Sequence, residues 1–244
     1  MIITYYGLSC FKIQSGDITL VFDLPARNAS RSDAGGPSKK SDITPPRFHA
    51  DIAFQSHDHA SHNGAKDLPA GKAGLSGERE KEIFLIDTPG EHEIKGVYVE
   101  GLKTYHDSVM GKKHGINTAY VVRLENIKLC FLGDYGEKGL RPELKEGIGK
   151  IDILFVPIGG DTVLEPEAAQ NLANQLEPAI VIPMHYTSGK KKDLPDRQAG
   201  ALKLFLAEFG QKDIKPLEKF SIKKKDIAED AGKRGTQIVV LSAL

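Results

Sequence analysis

The sequence has few cysteines and no long apolar run, and each absence excludes a class of protein. Two cysteines among 244 residues cannot form a disulfide framework, so we expect Cys10 and Cys130 to pack as buried, reduced thiols within strands. No apolar stretch approaches the roughly 20 residues of a membrane span. The chain opens on a strand pattern, without the basic region or cleavage site of a leader. These features predict a cytoplasmic protein without a membrane partner.

The sequence also lacks net charge, because 33 Lys and Arg residues balance 33 Asp and Glu residues. Without an overall field, the chain has no general means of attracting nucleic acid or an anionic membrane. The lysine runs at 190–192 and 223–225 are interpreted as solvated surface. A nucleic acid partner is therefore disfavoured, although a local basic patch keeps it open. The formation of a homo-oligomer also stays open.

A chain of 244 residues that is 40% hydrophobic and 27% charged is typical of a soluble globular protein, and we expect one domain spanning 1–244. Two polar inserts, at about 26–47 and 67–82, interrupt the pattern. Both are rich in turn-forming residues and poor in large apolar side chains, so neither can contribute much core. They are predicted to be loops.

The remaining pattern is rich in strands in the first half and alternates between helix and strand in the second. Strands are predicted at 2–6, 10–14, 18–23, 51–55, 83–86, 97–102, 118–124, 127–132, 151–156, 179–183, 220–222 and 237–241. Helices are predicted at 141–148, 166–176 and 196–209, with Pro166 in a first helical turn and Gly210 ending the last helix. This order suggests two sheets covered by helices.

Three histidines lie within six positions directly after the apolar run 52–54. On an extended backbone, residues i and i+2 point to the same side, so His57 and His59 can hold one metal ion together. His62 is placed to turn toward a second ion. Asp58 should point to the opposite side, away from both. Few structural needs explain such a cluster, which therefore predicts a metal site.

Three further polar residues each stand just beyond a predicted strand, namely His106, Asp134 and His185. Ligands on separate strand ends can meet only if those ends share one edge of the fold. A metal ion there would offset the cost of gathering the polar groups. With the histidine cluster, these residues predict a binuclear metal centre.

The order of these six residues resembles that of the metallo-β-lactamase fold superfamily. The segments Pro89-Gly90-Glu91, Tyr105-His106-Asp107, Leu132-Gly133-Asp134, Val156-Pro157-Ile158-Gly159-Gly160 and Ile182-Pro183-Met184-His185-Tyr186 resemble its branch of Zn-dependent hydrolases related to the L-ascorbate-6-phosphate lactonases. The resemblance extends from the first strand to about Tyr186 and more loosely to the last residues. It implies an α/β fold, a four-layer αββα sandwich with its site at one edge between the sheets.

The resemblance also implies a division of labour among the six residues. His57, His59 and His106 would hold the first ion, His62 and His185 the second, and Asp134 would bridge them. The implied cofactor is Zn²⁺, as one or two ions, with Mn²⁺ as an alternative. The implied reaction is hydrolysis of an ester, lactone, amide or phosphoester bond in a small-molecule substrate by water activated on the metal, with Asp134 and His185 as catalytic residues.

Ser61 departs from the family pattern H-x-H-x-D-H, in which an aspartate ligates the second ion. A neutral hydroxyl is a much poorer ligand for zinc than a carboxylate. The second ion would still keep His62, His185 and Asp134. We therefore expect a weakened second site, with partial or condition-dependent occupancy.

Two alternative functions remain open. One is a phosphodiesterase or nuclease on the same scaffold, which would need a basic groove beside the metals. The other is a non-catalytic metal-binding or interaction protein, whose activity decayed with the change to Ser61.

Three residues near the predicted site have two interpretations each. Asp23 and Asp107 either fix imidazole tautomers or make hydrogen bonds within turns. Tyr186 either reaches the substrate or packs. His92 is interpreted first as a strand residue and His114 as part of a mobile loop, so neither is assigned to the site.

Overall fold

The computed structural model describes residues 1–26, 48–68, 83–186, 196–230 and 235–244, without the side chains of 196–199 and 228–230. Within these ranges the chain forms thirteen strands, four α-helices and one 3₁₀ turn, η1. In chain order they are β1 Ile2–Gly7, β2 Cys10–Ser15, β3 Ile18–Phe22, β4 Ile52–Phe54, η1 Gly64–Asp67, β5 Phe84–Ile86, β6 Gly90–Ile94, β7 Val97–Tyr105, β8 Ile116–Leu124, β9 Ile127–Phe131, α1 Pro142–Ile148, β10 Ile153–Pro157, α2 Pro166–Leu176, β11 Ile180–Met184, α3 Asp196–Glu208, β12 Phe220–Ser221, α4 Lys224–Asp230 and β13 Gln237–Ile238.

The strands form two mixed sheets. The first sheet has the order β12-β1-β2-β3-β4-β5, and the second has the order β13-β11-β10-β9-β8-β7-β6. In the first, β12 and β1–β3 pair antiparallel while β3, β4 and β5 run parallel. In the second, β6–β9 pair antiparallel while β9, β10, β11 and β13 run parallel. Each sheet therefore changes from a meander to crossover connections part way across.

The inner faces of the two sheets share an apolar core that is rich in phenylalanine. The rings of Phe22 and Phe54 stack at 4.3 Å between centroids, and Phe11 meets Phe155 edge-on at 4.9 Å. Burial of each such side chain contributes about 1.5–3 kcal/mol. This core fixes how the strands of one sheet lie against those of the other.

Helices α1, α2 and α3 cover the outer face of the second sheet, where Leu144, Leu172 and Phe205 are buried. On the outer face of the first sheet, Ala65 and Leu68 of the η1 region pack in one apolar cluster with neighbours from the strands. The predicted α/β sandwich of two sheets between outer layers is confirmed. Among the described residues the layer over the first sheet is thin, since η1 is a single 3₁₀ turn.

One strand was missed in the sequence and one helix was not foreseen. The segment 90–94 was not among the predicted strands, although His92 was interpreted as a strand residue, and it forms edge strand β6, paired with β7 through a turn at Lys95 and Gly96. Its exposed Glu-His-Glu pattern carries no apolar alternation, and His92 packs its ring against Phe84 at 6.3 Å. The run 223–225 is exposed as expected but begins α4, which Ile227 anchors in the core.

Several other predictions can be compared with the structure. Cys10 and Cys130 are buried free thiols, as expected. No helix in the described ranges is long and apolar enough to cross a membrane. The inserts fall largely on 27–47 and 69–82, and the lysine run at 190–192 follows Tyr186. All three lie outside the described residues. The single-domain assignment stays a prediction.

Candidate metal centre

The structure brings the six predicted residues together where β4, β7, β9 and β11 end. Asp134 lies at the centre with only 2% of its surface exposed. Its Oδ2 atom faces four imidazole Nε2 atoms, those of His106 at 3.1 Å, His185 at 3.2 Å, His62 at 3.3 Å and His57 at 3.8 Å. The sixth residue, His59, has its ring 4.4 Å from that of His57 and 5.3 Å from that of His106. One carboxylate oxygen thus faces four histidines that come from three strand ends, since His57 and His62 both follow β4.

Among the residues that the structure describes, three candidate sets of donor atoms occur in this cluster. Asp23, His57 and His62 form one of them, which overlaps with the other two, and those two share no residue. The first donor group consists of His57, His59 and His106, and the second of His62, Asp134 and His185. Within each group the candidate ligand atoms lie within 4.8 Å of one another. These are the two sets that the resemblance implied, and Asp134 also contacts His106 of the first.

The backbone around Asp134 depends on the absence of a side chain at Gly133. Gly133 has φ of +58°, and a Cβ there would lie 2.5 Å from Oδ1 of Asn117. Buried Asn117 uses that oxygen to accept the N–H of Asp134 at 3.0 Å, while its amide donates to Thr104 and Leu132. The buried amide of Asn117 therefore fixes the backbone at Asp134, and with it the position from which the carboxylate extends.

His185 is held by a similarly close backbone approach. Its φ is +55°, and its carbonyl oxygen would lie 2.1 Å from a Cβ on Gly159. Any side chain at 159 would displace His185. Its N–H donates to the carbonyl of Leu8, in the β1–β2 turn, at 2.7 Å. Residue 159 must therefore be a glycine, because only a glycine leaves room for the backbone of His185.

The tautomer of His57 is fixed by a chain of hydrogen bonds that begins at Asp23. The buried carboxylate of Asp23 accepts the N–H and the O–H of Ser56, each at 2.7 Å. Since the Ser56 proton points to Asp23, its oxygen accepts the N–H of Nδ1 of His57 at 2.9 Å. Burial, with the charge of nearby His62, holds the pKa of His57 well below its ordinary value. His57 is therefore neutral and presents the lone pair of Nε2 to the site.

His62 lies between two carboxylates. Its Nδ1 is 3.0 Å from Oδ2 of Asp23, and its Nε2 is 3.3 Å from Oδ2 of Asp134. Burial alone would lower the pKa of His62, but the charges of Asp134 and Asp23 outweigh it and raise the pKa to about 10. For Asp134, an acid, burial alone would raise the pKa, but the charges of His185 and His62 hold the pKa well below its ordinary value. In the absence of a metal ion, His62 keeps a proton whose place a divalent cation can take.

Asp107 makes hydrogen bonds within a turn, which is one of the two interpretations that its sequence position left open. Its carboxylate accepts four backbone N–H bonds, from Val109, Gly111, Lys113 and His114. Although its partial burial opposes the shift, these bonds lower the pKa of Asp107 to about 2. The turn places the ring of His114 5.2 Å from that of His106, beside a residue of the cluster, and the mobility expected of this loop stays a prediction.

Tyr186 and Asp58 both point away from the cluster. The ring of Tyr186 packs 6.3 Å from that of Tyr5, its hydroxyl donates to the carbonyl of Leu241 at 3.4 Å, and burial raises its pKa to about 12. Tyr186 is thus a packing residue. Asp58 is exposed and accepts a hydrogen bond from Asn63 at 2.8 Å, so it does not replace the carboxylate that Ser61 lacks.

The residues of the cluster fit a divalent metal ion. Nε2 of His57, the atom that faces Asp134, is buried without a hydrogen-bond partner, which is costly unless something else binds it. Neutral imidazoles and carboxylates are ligands that Zn²⁺ and Mn²⁺ take in proteins. A cation between the two donor groups would also satisfy the buried charge of Asp134.

Comparison with known proteins agrees with this geometry. The chain resembles a UPF0173 metal-dependent hydrolase from Thermococcus kodakarensis, with 27% identity over 165 residues, which cover 61% of this chain and 72% of that protein. It also resembles a UPF0173 protein from Pyrococcus abyssi, with 24% identity over 242 residues, which cover 91% and 100%.

Solved structures show the same architecture. A member of the metallo-β-lactamase superfamily from Thermotoga maritima superposes with a TM-score of 0.69 and 28% identity, covering 98% of this chain and 97% of that one. An isothiocyanate hydrolase from Delia radicum gut bacteria has a TM-score of 0.62 at 15% identity, covering 91% of this chain and 100% of that one, and shares the fold alone. The family model described as Beta-lactamase superfamily domain matches residues 2–185, which is well over half of the sequence, and the chain therefore belongs to the beta-lactamase superfamily.

Proposed function

We propose that this chain is a metal-dependent hydrolase that holds two divalent ions in its two donor groups. Zn²⁺ is the preferred ion and Mn²⁺ is the alternative. The observation that carries the proposal is the buried Oδ2 atom of Asp134, which faces four imidazole nitrogens at 3.1–3.8 Å. The names of the Thermococcus and Thermotoga relatives, a metal-dependent and a Zn-dependent hydrolase, support it. The kinship with L-ascorbate-6-phosphate lactonases stays a prediction.

The geometry supports the ligand assignment that the family resemblance implies. In the proposal, His57, His59 and His106 hold the first ion. The second ion is held by His62 and His185, and Asp134 lies between the two. Ser61 adds no carboxylate, so the second ion is the weaker bound.

The chemistry of the site follows from its burial and its charges. Divalent ions bound there would lower the pKa of water and neutralise charge that develops on the oxygen of an ester, lactone, amide or phosphoester. His57, His62, His106 and Asp134 are buried and exclude bulk water from one side of the site. His59 and His185 are partly exposed and leave the other side open to a small-molecule substrate.

Hydrolysis of a lactone, a phosphodiester and a β-lactam by metal-loaded protein tests the activity. We expect at least one of them to be turned over, and His106→Ala to lower the rate by more than about 100-fold, because removing even a supporting residue costs 10–100-fold. His92→Ala removes an imidazole on edge strand β6 and is the matched control. Turnover that persists in His106→Ala would refute the proposal. Turnover of the diester alone would favour the phosphodiesterase.

Ser61 keeps the non-catalytic alternative open, and a restored carboxylate tests it. Ser61→Asp places an anionic ligand on the turn that carries His62, so we expect the second ion to bind at least about tenfold more tightly. Ala60→Asp adds the same charge one position earlier and should not have this effect. Metal affinities come from chelator competition.

The activity of the parent decides between the two functions. Activity that appears only in Ser61→Asp would favour the non-catalytic protein. Activity already present in the parent and lost in His106→Ala would exclude it.

A further inference from the structure

Ser9 contacts Asp134, the central residue of the candidate metal centre, although the two residues are far apart in the sequence. It lies in the turn between β1 and β2 and is fully buried. Its hydroxyl donates to Oδ1 of Asp134 at 3.1 Å, across 125 positions of the chain and from one sheet to the other. The two oxygens of Asp134 thus have separate partners, because Oδ2 faces the histidines.

The same turn also holds His185. The carbonyl of Leu8 accepts the N–H of His185 at 2.7 Å and the hydroxyl of Tyr5 at 2.8 Å. Leu8 has φ of +50°, a strained value for a leucine, and these two bonds hold it there. The β1–β2 turn therefore supports Asp134 and His185, two of the three members of the second donor group, although both belong to the other sheet.

A carboxylate beside two cations can either chelate one ion with both oxygens or share one oxygen between them. A hydroxyl that donates to Oδ1 occupies that oxygen and favours the sharing arrangement. The second donor group has no carboxylate at position 61, so its only anionic ligand is its share of Asp134. Anything that lets Asp134 turn wholly toward the first ion would weaken the second.

We propose that Ser9 is a positioning residue: its hydroxyl keeps Oδ1 of Asp134 occupied and leaves Oδ2, which faces histidines of both donor groups, for the metal ions that these residues would hold. This inference rests on the proposed function, since it requires two ions. If it is correct, the β1–β2 turn controls how tightly the second donor group holds its metal ion. Ser9 itself would not be a metal ligand, because its hydroxyl is bonded to Asp134.

The test titrates full-length Ser9→Ala with Mn²⁺ and follows both stoichiometry and the electron paramagnetic resonance spectrum, in which neighbouring ions are spin-coupled and a lone ion gives six lines. Ser9→Thr keeps the hydroxyl. Ser15→Ala removes another buried serine that donates to a carboxylate, that of Glu125, outside the cluster. Thermal unfolding of the metal-free proteins checks that each variant folds.

We expect Ser9→Ala to bind the second ion about 10–100-fold more weakly and to show the six-line signal of one ion at concentrations where the parent is coupled. Ser9→Thr should restore the coupled signal, and Ser15→Ala should match the parent. If folded Ser9→Ala binds and couples two ions like the parent, the role of Ser9 is overturned while the proposed function stands. If the parent itself holds no more than one ion at saturation, the role of Ser9 is overturned together with the second ion, while hydrolysis by the metal-loaded parent still decides the proposed activity.

Discussion

Asp134→Asn removes metal from both donor groups. The amide keeps the shape of the side chain but presents a neutral oxygen or an N–H to four imidazole nitrogens that now face one anionic atom. Since loss of residues that merely support a ligand costs 10–100-fold in metal affinity, loss of the shared ligand should cost more than about 100-fold for each ion. Metal content per chain after dialysis, with and without added Zn²⁺, measures the effect.

A matched control exists only a few residues from the cluster. Asp58→Asn makes the same chemical change between two of the histidines, but at an exposed side chain that bonds Asn63. It should leave metal content unchanged. If Asp134→Asn retained two ions with parental affinity, the central place given to its carboxylate would be wrong. If both variants lost metal equally, a general effect of charge would explain the result better than ligation.

The sequence predicted the architecture and the six residues that the structure brings together, because each leaves a local signal. His57, His59 and His62 are clustered in the chain, and His106, Asp134 and His185 each follow a clear strand. Buried strands such as 153–157 are runs of apolar residues, which pattern alone reveals. Edge strand β6 leaves no such run, since Ile94 is its only apolar side chain.

The residues that hold the ligands could not be predicted, because their partners are brought close only by the packing of the two sheets. Ser9 is 125 positions from Asp134, and Asn117 is 17 positions from it. A buried serine or asparagine in a strand-rich chain looks like any other satisfied polar residue. Ser56 adjoins His57, yet its role becomes visible only once Asp23 is seen to accept its proton.

Asp23 contacts both donor groups, and with His57 and His62 it forms a further candidate set of ligand atoms. Its oxygens accept both donors of Ser56 and lie beside Nδ1 of His62. Through Ser56 it sets the tautomer of His57, and directly it supplies negative charge to His62. Asp23 therefore supplies negative charge next to His62 of the second donor group. This charge replaces part of what an aspartate at position 61 would provide.

Asp23→Asn should disturb both donor groups at once. Residue 23 has φ of +45°, which asparagine tolerates as well as aspartate, so the backbone keeps its conformation. The amide cannot accept from both donors of Ser56 and from His62, and the Ser56 proton is freed to turn toward Nδ1 of His57. That reversal would place the imidazole proton on Nε2, the atom that faces the site. We expect metal affinity to fall about 10–100-fold and the free energy of unfolding to fall by about 1–3 kcal/mol.

The pH dependence of metal binding separates this effect from simple loss of stability. Because the pKa of His62 is raised to about 10, a proton competes with the metal throughout the neutral range, and parental affinity should rise about tenfold per pH unit between pH 7 and 9. Without the charge of Asp23 the pKa of His62 falls toward its ordinary value, so the variant should show a shallower rise. Asp51→Asn, which removes a carboxylate bonded to Thr19 and Lys95 elsewhere on the first sheet, should lose stability but keep both the affinity and the steep rise. An Asp23→Asn protein with the parental slope would show that Asp23 acts on the fold alone.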